Sequence, residues 1–156
     1  MDKRFSTLWW GGTLAWAALI FCLSSQTFGP DFSRGLLAWT LQVFHLRLVL
    51  HTFGLLDDFL RKLAHLIEYG IFGLLLYGLA GDKSRSLWQP RRAAFCILAA
   101  TAVSLTDEFH QWLVPGRHAS LFDCGLDTAG AALAMLVPYT CQVSGVRCRV
   151  HVPGVR

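Results

Sequence analysis

Apolar positions in this chain come in long runs separated by short polar stretches, a pattern that predicts membrane-length helices rather than the alternation of half-buried strands. The first run, Leu8 to Leu23, follows Lys3 and Arg4 and reads as a retained helix, because no small-x-small cleavage pattern follows it. Three further runs are expected at about residues 62–80, 93–113 and 120–139, the last two divided by a break at Pro115-Gly116-Arg117. Between the first and second runs, Leu36 to Leu60 is apolar but interrupted by His45, Arg47, His51 and the Asp57-Asp58 pair. Such a stretch fits a helix lying along the interface or re-entering it, with a fifth span as the alternative. The expected fold class is all-α: an integral membrane bundle of about four transmembrane helices with an interfacial or re-entrant helical segment after the first. One domain covers 1–140, and residues 141–156 are expected to form a basic, disordered tail.

Composition closes off other classes. The chain has 156 residues, 54% hydrophobic and 15% charged, too few charges to cover a soluble globule of this size. Five cysteines are scattered without a C-x-x-C pair and read as small packing residues. The net charge of +4 is spread over loops and tail rather than clustered with aromatic residues, which argues against a nucleic-acid partner. It reports orientation instead. On the four-span map, one side collects nine Lys and Arg residues and the other five, so both termini are expected to be cytoplasmic, with the lipid bilayer as the first partner.

Within these apolar segments sit His65, Glu68, Asp107, Glu108, Gln111 and Asp127. A charge at mid-membrane costs roughly 2.5–3.5 kcal/mol even on lenient scales, so such groups must face one another or face water. A rise of ~1.5 Å per residue places His65 ~4–5 Å and Glu68 ~9 Å below the outer end of the second span. The same count puts Asp107 and Glu108 ~6–8 Å down the third, and Asp123 and Asp127 ~4–5 Å and ~10 Å down the fourth. Helical phase agrees with convergence. Lys62, His65 and Tyr69 share a face that Glu68 can join; Ser104, Glu108 and Gln111 form a second stripe; Asp123, Asp127 and Gly130 form a third. Gly70, Gly73, Gly78, Gly125 and Gly130 would let backbones approach closely.

Two segments carry a resemblance. Arg61-Lys62-Leu63-Ala64-His65-Leu66-Ile67-Glu68-Tyr69 supplies K-x-x-H-x-x-E-Y, and residues 106–117 supply D-E-x-x-Q-x-x-x-P-G-R, continued by Ser120, Asp123 and Gly130. This pattern, with Ser24-Ser25-Gln26 after the first span, resembles the VanZ-like family of small bacterial membrane proteins. Asp127 departs from it, standing where the family commonly carries Asn. The resemblance implies a multi-pass protein of the bacterial cytoplasmic (inner) membrane, in a family named for a member that raises resistance to teicoplanin-type glycopeptides. It brings no settled biochemical activity with it.

Three functional classes follow. The first is an outward-facing site that binds or modifies a lipid-linked envelope precursor or a phospholipid head group. There Glu68, Glu108, His65 and Asp107 are the acid/base candidates, and Lys62, Tyr69, Gln111, Arg117, Asp123 and Asp127 line the approach. A second is a divalent metal site on His65, Glu68, Glu108 and Asp127, for which the spacing is permissive rather than diagnostic. The third is a structural, transport or proton-relay subunit, acting as a homo-oligomer or with a membrane partner.

Overall fold

The computed structural model describes residues 3–25, 30–46, 49–81, 88–115 and 119–144. These residues are all-helical: α1 (Lys3–Leu23), α2 (Pro30–Val43), α3 (Leu50–Leu79), α4 (Pro90–Leu113), α5 (Leu121–Ala134) and α6 (Leu136–Val143). Local chemistry sets several boundaries. Pro90 opens α4 at its first turn, where a missing N–H costs nothing. Val114 is extended ahead of Pro115, whose ring disfavours helical geometry in the residue before it. Ser120 caps α5, its hydroxyl accepting the Asp123 N–H, and Asp123 adds a negative charge to that first turn. Pro138 cannot donate to the Ala134 carbonyl, and the chain turns at Met135 between α5 and α6.

The end of α2 is closed by paired bonds, Leu46 N–H to the Leu41 carbonyl and His45 N–H to the Gln42 carbonyl. His45 takes the left-handed conformation this requires, with φ of 54°. Helix α3 begins at Leu50, well before the second run expected at about 62. No proline interrupts residues 50–79, and the charges at 57–62 that mark a membrane boundary in the sequence do not stop a helix. The apolar stretch 36–60 is therefore divided between α2 and the first part of α3. Helix α6 carries the chain to Val143, into the region expected to begin the tail.

Among the described residues, one helical stretch, Leu121–Val143, is long and apolar enough to cross a membrane by length and composition, and Thr7–Leu23 is a shorter apolar helix. Helices α3 and α4 carry the acids of the polar site, which lowers their hydropathy. The exterior is nonetheless dominated by hydrocarbon. Among the described residues, thirty-two large hydrophobic side chains are exposed, whereas the buried hydrophobic core comprises eleven. Exposed large apolar side chains in such number are unusual for a surface that faces only water.

Helix α3 is the hub. It packs most extensively on α5 and also meets α1, α4 and α2, while α4 packs on α5. Small residues set the α3–α5 spacing. A Cβ at Gly130 would collide with the Leu66 backbone, and one at Gly73 would lie 3.2 Å from Ala131 Cα. The core joins Ile20, Tyr69, Phe72, Ala100 and Ala131, and a second cluster toward the other end joins Tyr77, Ala93, Cys96 and Met135. Cys96 and Cys124 are buried free thiols, whereas Cys22 is exposed. At that end Arg92 donates to the Tyr77 carbonyl and lies 3.7 Å from the Tyr77 ring centroid.

Candidate functional site

The end of the bundle near Ser24 gathers the buried polar side chains. Asp127, on α5, is fully buried and takes hydrogen bonds from two helices: Ser104 Oγ of α4 at 2.6 Å and His65 Nδ1 of α3 at 3.1 Å. Asp127 engages the His65 ring through Nδ1, so Nε2 is the nitrogen left for another partner. Asp107, on α4, is held the same way. Ser24 Oγ at the end of α1 donates to its Oδ2 at 2.6 Å, and Gln111 Nε2 one turn further along α4 donates to the same oxygen at 3.0 Å. These two carboxylates join four helices through short side-chain bonds.

Glu108 does something different. Its Oε2 accepts the Ser120 N–H at 2.6 Å, so it fixes the start of α5 to the end of α4. Glu68, by contrast, faces a cavity of about 180 Å³ lined by Leu23, Ser24, Phe32, Ser33, Arg61, Ala64, His65 and Gln111 besides itself. Glu68 Oε1 is buried without a hydrogen-bond partner among the described residues, as are Asp107 Oδ1, Glu108 Oε1 and the Tyr69 hydroxyl. Burying an unpaired polar atom costs about 1–3 kcal/mol, more for a charged group, so these atoms mark places where water or a ligand would be stabilising. The indole N–H of Trp16 donates to the Glu68 backbone carbonyl at 3.0 Å and ties α1 to α3 at this level.

One wall of the cavity comes from α2. Asp57, 2% exposed, accepts Ser33 Oγ at 2.9 Å and Arg34 Nε at 3.3 Å, using both carboxylate oxygens to hold the start of α2 against α3. Phe32 and Ser33 thereby close over the space between α1 and α3.

His65, Glu68 and Gln111 thus line one cavity, with Asp127 and Asp107 directly behind His65 and Gln111. Tyr69 is fully buried and packs edge-on against Phe72 instead of lining it. Asp123 serves the first turn of α5. Lys62 is exposed, with Nζ 5.3 Å from the Phe122 ring centroid, and does not line the cavity. Arg117 lies outside the described residues. Among the described residues, no group of three or more His, Cys, Asp and Glu side chains is placed to hold a metal ion. Arg61, which the sequence offered only as the first residue of the segment carrying K-x-x-H-x-x-E-Y and not as a site candidate, lines the cavity. Ser33 and Asp57 gave no signal in the sequence, since their roles depend on how α2 returns to α3. Ser24 belongs to the Ser24-Ser25-Gln26 segment, but nothing in the sequence points to Asp107, 83 residues later, as its partner.

The class of protein is therefore a small all-helical bundle whose helices are cross-linked at one end by buried carboxylates around a polar cavity. The model of the VanZ/LLP1 family matches residues 9–142, and the chain belongs to that family. Neither the curated proteins nor the solved structures provide a match to it.

Proposed function

We propose that this chain is an integral membrane protein of the bacterial cell envelope whose cavity opens toward the outer leaflet and binds or modifies a lipid-linked or phospholipid head-group substrate. In this reading it contributes to envelope homeostasis or to teicoplanin-type glycopeptide resistance. The observation that carries it is Glu68: a carboxylate with one buried oxygen unpartnered and, among the described residues, the acid that lines the cavity. The apolar exterior supports immersion in lipid. Both termini lie on the cytoplasmic side by the Lys and Arg distribution.

Within the site the roles divide. Asp127 orients His65 through Nδ1, leaving Nε2 to hydrogen-bond a bound group. Glu68 accepts hydrogen bonds from the ligand. Asp107 and Glu108 hold α1, α4 and the start of α5 in place.

Complementation of a deletion strain tests this reading. Wild type, Glu68→Gln and Glu108→Gln are challenged with teicoplanin and other envelope stresses, with membrane abundance of each checked. Glu68→Gln should insert normally and fail to complement. Full complementation by Glu68→Gln would reject a working carboxylate and leave a structural partner of an envelope complex.

A further inference from the structure

Building on the head-group reading above, we propose that the cavity selects a zwitterionic phosphate head group, an aminoalkyl phosphodiester of the phosphatidylethanolamine kind, with the phosphate on Arg61 and the ammonium on Glu68. Three observations carry it.

The first is the charge content of the lining. Arg61 and Glu68 both border the cavity, and among the described residues neither side chain has an ion-pair partner. His65 is engaged with Asp127, and Asp107 lies behind Ser24 and Gln111. The cavity therefore offers one uncommitted cation and one uncommitted carboxylate. A purely anionic head group would meet Glu68 without compensation, and a purely cationic one would meet Arg61. A ligand bearing both signs satisfies both, and a guanidinium fork suits phosphate oxygens.

The second is placement. Arg61 and Glu68 are seven residues apart on α3, which puts them on one face about two turns, ~10.5 Å, apart along the axis. The long arginine side chain closes part of that gap, and His65 lies between them. Ser24, Ser33 and Gln111 add polar side chains to the lining.

The third is size and rim. A volume of about 180 Å³ is far more than one water requires, yet it falls below the ~300 Å³ lower end of ordinary small-molecule pockets, so a compact head group fits and a large glycan does not. Leu23, Phe32 and Ala64 give the rim an apolar side for the first methylenes of an attached chain.

The test is lipid retention by the full chain in nanodiscs of equimolar phosphatidylethanolamine and phosphatidylglycerol with matched acyl chains, read by native mass spectrometry. Wild type should retain phosphatidylethanolamine at least five-fold over phosphatidylglycerol. Arg61→Gln should lose both lipids, since the phosphate is common to them. The near-isosteric Glu68→Gln should retain lipid but lose the preference. Arg91→Gln, at the other end of α4, should behave as wild type. Soluble phosphoethanolamine in millimolar excess should leave the bound lipid in place, and displacement would overturn the lipid as its source. A preference unchanged in Glu68→Gln overturns zwitterion selection, while a loss confined to Arg61→Gln still upholds head-group binding. No retention above bulk lipid by wild type overturns both.

Discussion

Replacing Gly130 with alanine adds one methyl group at the tightest point of the α3–α5 seam. The new Cβ would run into the Leu66 carbonyl oxygen and lie 3.0 Å from the Leu66 carbonyl carbon and 3.1 Å from its Cα. All three are backbone atoms, so no rotamer change relieves the clash and α5 must move away from α3. Alanine gains about 0.8–1.0 kcal/mol of helix propensity over glycine. Overpacking costs about 1–3 kcal/mol, toward the upper end against rigid backbone, which leaves a net loss of about 2 kcal/mol. Gly125 sits on the same helix with nothing within 4 Å of its added Cβ, so Gly125→Ala should stabilise by up to about 1 kcal/mol. Denaturant unfolding in detergent micelles, followed through the six tryptophans, measures both. The same displacement would stretch the His65–Asp127 bond, so Gly130→Ala should also lose whatever the cavity binds. Equal stability of the two variants within about 0.5 kcal/mol would refute the close seam and the reasoning built on it.

Other outcomes follow from the same contacts. Asp127→Ala strands the Ser104 and His65 donors and should cost about 2–4 kcal/mol in the micelle assay, whereas Asp127→Asn keeps acceptor and shape and should cost about 1 kcal/mol or less. Asp57→Ala releases Ser33 and Arg34, so amide exchange across α2 should quicken about five-fold or more while α5 is unaffected. His45→Gly removes the cost of a left-handed non-glycine residue and should stabilise the end of α2 by about 1 kcal/mol, visible as slower exchange at Leu46.

Periodicity within single helices carried much of this site. The inward stripe of α4 could be read directly from residues 104, 108 and 111, because three and four residues return a side chain to the same face. The depth count brought Glu68, at ~9 Å, level with Asp127, at ~10 Å, whereas the structure puts Asp127 in contact with His65, one turn nearer the helix start. What periodicity does not give is the rotation of one helix against another. Arg61 and Lys62 are adjacent and chemically similar, yet they point about 100° apart, and only the packing of α3 on α1 and α5 decides which reaches the cavity. Glu68 and Glu108, both acid/base candidates by residue type, show the same limit: Glu68 lines the cavity, whereas a bond from the Ser120 amide takes Glu108 to the start of α5. The division of residues 36–60 was hidden for another reason. Charges at 57–62 look like a boundary by hydropathy, whereas Asp57 is buried inside a continuous helix by partners more than twenty residues earlier.

The most direct test of an outward-opening cavity is the sidedness of thiol labelling. In a cysteine-free protein, Ala64→Cys places a thiol on the cavity lining and Arg91→Cys places one at the far end of α4. With a membrane-impermeant maleimide added to intact cells, Ala64→Cys should label at once and Arg91→Cys only after permeabilisation. Labelling of Arg91→Cys from outside, with Ala64→Cys protected until the membrane is breached, would contradict the orientation and the outer-leaflet substrate built on it.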